Sequence, residues 1–334
     1  MKSFLLIVFL VSFNAAFSQH VNLNELSSER NSYLRSRGIL YFSDSVEKEG
    51  FDISLNEKEE KLNSYLKKLQ RDYIDKSGAQ FPPASYFYKY RNMIDTSIIY
   101  KTLQKMPKGA LLHVHSTAMG DAEWLVKTAS YMDDCYFYNS TDGKEVYGAL
   151  HFYAADKVPA NWISLKQLRR ENDNFDEKLL YLLTFSAKDE NSRVIWEDFE
   201  KIFDRMGGLI EYLPVYKAYT KNAIEVLLKD GVQHIEIRSG MHGIYDLSGN
   251  EYSYAGFAKI FDEIVKDVRK SYPHFTAKII FAGWRGNTPD KVMKYINNCF
   301  EIKKLYPNLL VGFDLVGEED AGHRTDFFLN EFFK

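Results

Sequence analysis

Four short apolar runs in the second two-thirds of the chain, each followed by polar residues or glycine, constrain the fold most strongly. Helical patterns over residues 216–229, 254–270 and 289–305 precede three of them. This alternation is typical of βα units, because parallel strands need long crossover connections rather than hairpins. The chain is therefore predicted to form an α/β fold with a parallel sheet. The predicted strands are residues 110–115, 234–238, 277–282 and 309–316.

The spacing of the runs also predicts an insertion after the first strand. The last three strands begin at intervals close to one βα unit each, whereas the first interval is far too long for one crossover. Residues from about 118 to 190 are therefore predicted to form an insertion. The run Asn139-Ser-Thr-Asp-Gly143 within it is typical of a turn.

The segment before the first strand, residues 19–105, is predicted to be helical. Leu62, Leu66 and Leu69 recur at the spacing of an amphipathic helix, with charged residues between them. The chain is thus predicted to comprise three parts: a segment at 1–18, a helical segment at 19–105, and a sheet-containing domain at 106–334.

The first 18 residues are typical of a secretory signal peptide. Lys2 precedes an apolar run at 4–13, which is followed by small residues. A transmembrane anchor is the alternative, but it needs about 20 apolar residues, and Ser12 and Asn14 interrupt this run. We therefore expect a secreted or periplasmic protein without a stable membrane anchor after cleavage.

The composition excludes several classes of protein. Hydrophobic residues make up 45% of the 334 positions, which excludes a disordered chain. A formal net charge of −3 gives no electrostatic basis for binding nucleic acid. Two cysteines exclude a disulfide-rich scaffold and a four-cysteine zinc site. Export permits a bridge between Cys135 and Cys299, but two buried thiols fit the sequence equally well.

His113 and His115 are the main candidates for metal ligands. Alternate residues of a strand share a face, so both imidazoles are expected on one side of the first strand, near its carboxyl end. Two imidazoles that converge there can bind a borderline metal such as zinc. The alternative is that one histidine caps the strand and the other packs against the core.

The residues around these histidines resemble the adenosine deaminase superfamily, and more narrowly its secreted adenosine deaminase-related growth factor branch. The resemblance rests on Pro107-Lys-Gly-Ala-Leu-Leu-His-Val-His115, on Gly312-Phe-Asp-Leu-Val-Gly-Glu-Glu-Asp-Ala-Gly-His323, and on the order of segments. It covers most of residues 85–325. It implies a (β/α)8 TIM-type metal-dependent hydrolase barrel, of which about four βα units are present, preceded by a helical N-terminal segment.

The resemblance also implies roles for individual residues. His113 and His115 match the first two zinc ligands of the family, and Gly317 matches a glycine whose backbone contacts the purine. A strand-ending turn at Gly317 is compatible with that role. Trp196 falls where the branch has a pocket-lining tryptophan, although a buried core tryptophan is equally consistent with the sequence. No catalytic residue is assigned, because the catalytic Glu and His of the family, like its third zinc histidine, occur in motifs beyond residue 334.

Two positions depart from the pattern of the family. Thr117 stands where typical members carry an aspartate, and Trp284 stands where close relatives usually have a histidine. Trp284 would replace a polar contact of the pocket, and Thr117 would change how the ribose end of a nucleoside is held. Glu236, Arg238 and Asp314 are interpreted as structural, because buried charges need partners.

The function implied is zinc-dependent deamination of adenosine or 2'-deoxyadenosine to inosine and ammonia by an exported enzyme. A purine nucleoside is the expected small-molecule partner, and the helical segment suggests a homodimer. Because later motifs are missing, the chain as written is expected to be truncated and inactive. The alternatives are a non-catalytic extracellular binding or signalling protein and another metal-dependent amidohydrolase.

Overall fold

The computed structural model describes residues 23–46, 52–78, 81–185, 195–241 and 243–333. The predicted signal peptide, residues 1–18, lies outside these ranges. The chain divides into two compact units, Met1–Asp72 and Tyr73–Lys334. Among the helices described, none is both long and apolar enough to span a lipid bilayer.

The first unit consists, in its described part, of helix α1 (Leu23–Val46) and most of helix α2 (Glu57–Ser77). Asn56 starts α2, because its side-chain oxygen accepts hydrogen bonds from the backbone N–H groups of Lys58 and Glu59. Glu59 in turn accepts from the Asn56 N–H at 2.8 Å. This reciprocal capping satisfies N–H groups that a helix leaves unpaired at its start. Residues 62–69, where the sequence predicts a helical pattern, lie within α2.

The second unit is built on a parallel sheet of four strands in the order β1-β5-β6-β7. The predicted α/β fold with a parallel sheet is confirmed, and each of the four predicted runs forms one of these strands. The strands of the chain are β1 (Gly109–His115), β2 (Cys135–Tyr138), β3 (Leu150–Phe152), β4 (Trp162–Ser164), β5 (Val232–Ser239), β6 (Thr276–Trp284) and β7 (Leu310–Val316).

Helices precede the strands as the sequence predicts. The helix Leu213–Lys229 has a proline in its first turn, the helix Tyr254–Val268 is capped by Ser253, whose hydroxyl accepts from the Gly256 N–H, and the third helix begins at Pro289. The helices of this unit are α3 (Phe87–Ile94), α4 (Ile98–Leu103), α5 (Ala122–Lys127), α6 (Leu165–Glu171), α7 (Phe175–Leu183), α8 (Ile195–Ile210), α9 (Leu213–Lys229), α10 (Tyr254–Val268), α11 (Pro289–Leu305) and α12 (Leu329–Phe332).

The two faces of the parallel sheet differ in burial. Ile235, Ile237, Ile279 and Phe281 are completely buried in the main apolar cluster, which also contains residues of α9, α10 and α11. Most of the alternate residues of β5 and β6 point to the other side and stay partly exposed. The period of two along each strand therefore separates a helix-covered face from an open face.

The residues between β1 and β5 contain a second, antiparallel sheet in the order β3-β2-β4. Helix α8 packs closely on this sheet at Gly208, where an added Cβ would lie 2.4 Å from the Leu150 carbonyl oxygen. His151 of β3 is stacked between Tyr153 and Tyr245, at 4.3 Å from each ring. The small sheet thus holds α8 in place beside the parallel sheet.

Candidate active site

A cleft with a volume of about 690 Å³ lies where the carboxyl ends of the four parallel strands meet helix α8. Each strand contributes to its wall through a residue at or just after its end: His115 of β1, Arg238 of β5, Trp284 of β6 and Gly317 after β7. Helix α8 contributes Trp196 and other residues. This edge of a parallel sheet is where ligands bind in α/β folds.

His113 and His115 lie close together despite an irregular strand. The pairing of β1 with β5 shifts register between Leu111 and Val114, so strict alternation does not hold there. Even so, the two imidazole centroids are 5.4 Å apart. His115 is partly buried and lines the cleft, whereas His113 is exposed beside it.

The surroundings of His115 favour its neutral form. Partial burial lowers the pKa of His115, and the nearby His113 and Arg238 lower it further, while Asp314 acts in the opposite direction. A neutral imidazole is the form that binds a metal.

The two histidines fit a zinc site only as part of its ligand set. Imidazole nitrogens suit zinc, but a catalytic zinc site normally has three protein ligands. Within the described part of the chain, no group of three or more His, Cys, Asp or Glu residues is arranged to hold a metal. A third ligand must therefore come from elsewhere for His113 and His115 to bind zinc firmly.

Arg238 is held by an ion pair across the open face of the sheet. Its Nε donates to Asp314 Oδ2 at 2.7 Å, and its Nη1 donates to the Leu112 carbonyl oxygen at 2.9 Å. The Asp314 Oδ1 accepts from the Leu315 N–H at 2.8 Å. Arg238 and Asp314 thus have the structural contacts that the sequence suggested. Glu236 pairs instead with His234 on its own strand, at 3.6 Å.

The loop after β1 is tied to helix α9 by Tyr219. The Tyr219 hydroxyl accepts from the Gly120 N–H at 2.8 Å and donates to the Thr117 carbonyl oxygen at 3.1 Å. An added Cβ at Gly120 would lie 2.4 Å from the Tyr219 ring, so glycine is required for this close approach. These contacts fix Thr117 in the wall of the cleft.

Trp196 is 41% exposed on α8 and lines the cleft, so it is not a buried core tryptophan. Its ring meets Phe199 edge-on at 5.7 Å, and Phe199 meets Phe203 at 5.0 Å. Glu200 and Asp204, four residues apart, also line the cleft. The sequence analysis did not single out these four neighbours, although their helical spacing from Trp196 was a usable signal.

Gly317 has a φ of +113°, a conformation that glycine adopts without strain. It ends β7 and lies in the cleft wall, so the structure places both the turn and the cleft contact at this residue. The structure therefore brings together His115, Trp196 and Gly317 from separate parts of the sequence.

Comparison with known proteins identifies the relatives of the chain. No protein-family model matches it. Adenosine deaminase 2 of Dictyostelium discoideum is 32% identical over 318 residues, which cover 92% of this chain and 59% of that protein. Adenosine deaminase 2-A of Danio rerio is 32% identical and covers 88% of this chain and 60% of its own length. The chain is a homologue of the adenosine deaminase 2 proteins. The resemblance drawn from its motifs is confirmed.

The chain spans about 60% of the length of the adenosine deaminase 2 proteins it matches. The similarity of the chain to solved structures is lower than its similarity to these sequences. The Arabidopsis ADAL protein complexed with IMP superposes with a TM-score of 0.45 and 14% identity, over 69% of this chain and 55% of that one.

Proposed function

We propose that this chain is the N-terminal part of an exported, zinc-dependent enzyme that deaminates adenosine or 2'-deoxyadenosine to inosine and ammonia. The observation that supports this most is the convergence of His115, Trp196 and Gly317 in one cleft. These three residues were assigned to the site from motifs far apart in the sequence. A purine nucleoside is the ligand proposed, and residues 1–18 are proposed to direct export.

Each part of the cleft has a defined task in this proposal. His113 and His115 supply two imidazole ligands, and zinc, when bound, would activate the attacking water. Gly317 lets the backbone approach the base. Trp196 and Trp284 provide apolar walls that exclude bulk water. The Arg238–Asp314 pair holds the ends of β5 and β7 together, and Nη1 of Arg238 donates to the Leu112 carbonyl oxygen of β1.

The remaining parts of the site are proposed to come from residues beyond this sequence. The barrel would then comprise eight βα units, with the third zinc histidine, the acid that protonates the purine ring and the histidine that orients water in its second half. A homodimer through the helical N-terminal segment also belongs to this proposal. The 334-residue chain alone is expected to have little or no deaminase activity.

Zinc binding tests the metal part of the proposal. In titrations of the purified chain, we expect one weakly held zinc ion, with His113→Asn and His115→Asn each lowering the affinity at least about tenfold. His274→Asn is the matched control, because His274 is exposed and outside the cleft. Unchanged zinc affinity in both cleft variants would contradict the assignment.

Two further measurements test the reaction and the missing half. Purified chain with zinc and adenosine should show no appreciable turnover, whereas a version extended by the downstream genomic sequence should produce inosine and ammonia. An in-frame His-Ala-Gly-Glu motif past codon 334 is expected. A genuine stop codon there, together with adenosine binding, would favour a non-catalytic binding protein.

The departures at Thr117 and Trp284 favour a second candidate function, that of another metal-dependent amidohydrolase. Both residues line the cleft, which supports a direct contact with the substrate. A screen of amino-substituted purines and pyrimidines on the extended protein separates the two functions. Faster turnover of a substrate other than adenosine or 2'-deoxyadenosine would replace the first proposal by the second.

A further inference from the structure

Trp284 is a large aromatic residue that remains 54% exposed while forming part of the cleft. It stands at the carboxyl end of β6 and pairs with Val316 of β7, so its backbone belongs to the rigid sheet. An exposed indole loses much of the free energy that burial of its apolar surface would provide. Its position in the cleft wall places the indole within reach of a bound ligand.

The orientation of the indole is set by two glycines. An added Cβ at Gly286 would lie 2.4 Å from Cη2 of Trp284, and one at Gly317 would lie 2.9 Å from Cδ1 and Nε1. These atoms belong to opposite ends of the ring system, the six-membered and the five-membered ring. A side chain at position 286 or at position 317 would therefore collide with one end of the indole. The ring is held in one place before a ligand arrives.

We propose that Trp284 is a specificity-determining residue whose indole stacks on the planar base of the bound purine. This inference rests on the proposed function, since it concerns the same cleft. An aromatic side chain offers a purine a large flat contact, and a pre-positioned ring loses little conformational entropy when the ligand binds. An indole in this position provides no acceptor for a sugar hydroxyl, so contact with the base outweighs contact with the ribose.

The other residues of the cleft support this division of tasks. His115, Glu200 and Asp204 provide polar or charged groups in the wall, while Trp284 and Ala282 of the same strand form an apolar part of it. A purine is flat and apolar on its faces and polar on its edges. The cleft therefore matches a base that stacks on Trp284 and turns its edge to the polar residues.

Ligand binding to the purified chain tests the proposal. We expect Trp284→Ala to weaken adenosine and adenine to a similar extent, about tenfold each, and Trp284→Phe to weaken them less than about threefold. Binding is measured by calorimetry, with ribose as the ligand that lacks a base. Phe300→Ala is the matched control, because Phe300 is 56% exposed and lies outside the cleft; it should leave every affinity unchanged.

The glycine at 286 allows a sharper test by a double-mutant cycle. The φ of Gly286 is outside the left-handed region, and the three atoms nearest its added Cβ all belong to Trp284. Gly286→Ala should therefore displace the indole and weaken adenosine binding about as much as Trp284→Ala. In the Trp284→Ala background the same substitution should have no effect, because nothing remains to be displaced.

The outcomes separate this inference from the proposed function. Adenosine binding that is unaffected by Trp284→Ala overturns the stacking role and leaves the proposed function intact. Equal losses for ribose and adenosine, with adenine unaffected, also overturn it, because Trp284 would then contact the sugar. Failure of the unaltered chain to bind adenosine and adenine also overturns the stacking role, whereas the proposed function is judged by turnover of adenosine in the extended protein.

Discussion

The two faces of the parallel sheet come from the same strands but serve different purposes. On the helix-covered face, Ile237, Ile279 and Phe281 are completely buried. On the open face, Glu236, Arg238 and Lys278 alternate with them and remain partly exposed. The first face provides apolar burial, which is the main source of stability. The second provides charge and hydrogen-bonding groups at the cleft.

The charges of the open face are not left unpaired. Arg238 pairs with Asp314 at 2.7 Å, Glu236 pairs with His234, and Lys278 donates to the Asn308 carbonyl oxygen. Each of these contacts offsets part of the cost of removing a charge from water. The comparison therefore predicts large effects from substitutions on the covered face and smaller, partner-dependent effects on the open face.

The largest effect is expected from Phe281→Ala on the covered face. Phe281 packs against Tyr254, Tyr295 and Phe313, and the cavity left behind should lower the free energy of unfolding by about 3–5 kcal/mol. Lys278→Ala on the open face of the same strand should cost less than about 1 kcal/mol. Urea denaturation of both variants checks this, and similar losses would show that the faces do not differ in stability.

The Arg238–Asp314 pair tests the open face itself. Arg238→Ala leaves Asp314 without its partner and should lower the free energy of unfolding by about 2 kcal/mol, less than for a fully buried pair because Asp314 is 35% exposed. Adding Asp314→Ala should recover part of that loss, since the unpaired charge is gone. If the double variant loses as much as the two single changes together, the pair does not couple.

Much of this contrast could be predicted from the sequence, because strand alternation and helical spacing are local patterns. The strands, three preceding helices and the internal pairing of Arg238 were accessible in this way. The contribution of Glu200 and Phe203 was not, because it depends on where the small antiparallel sheet places α8. The contact of Trp284 with Gly286 and Gly317 was also hidden. It depends on distances between backbone and side chain that no spacing rule contains.

Glu211, which follows α8, is a buried carboxylate for which the described part of the chain provides no charged partner. Burial raises the pKa of Glu211 to about 7, and no hydrogen bond or ion pair of its carboxylate occurs among the described residues. The folded chain therefore keeps this proton at a pH where the unfolded chain has lost it. Stability should fall as pH rises from about 4.5 to 7, by about 3 kcal/mol in total.

Glu211→Gln should remove this dependence and raise the free energy of unfolding at pH 8 relative to the unaltered chain. Denaturation at a series of pH values checks both expectations. Asp267→Asn is a useful contrast, because hydrogen bonds from Lys221 and Lys270 lower the pKa of Asp267 to about 2. Its loss should not flatten the profile between pH 4.5 and 7. A profile unchanged by Glu211→Gln would show that the proton is bound elsewhere.

The smallest effect is expected at the mouth of the cleft, where Glu200 and Asp204 lie one turn apart on α8. Neither carboxylate has an ion pair or hydrogen bond within the described ranges, and the guanidinium of Arg238 is already engaged. The cleft should therefore bind adenosine more tightly than adenosine 5'-monophosphate, whose phosphate would meet the negative charges of these two carboxylates. Substituting Glu200→Gln and Asp204→Asn together should narrow that difference about fivefold at low salt. Burial raises the pKa of Asp204, so the comparison is made at pH 8. Glu197→Gln on the same helix, outside the cleft, is the control.

Because salt screens exposed charges, the difference between the variants should shrink in 1 M salt. A preference that persists unchanged in the double variant would mean that shape, rather than charge, excludes the phosphate.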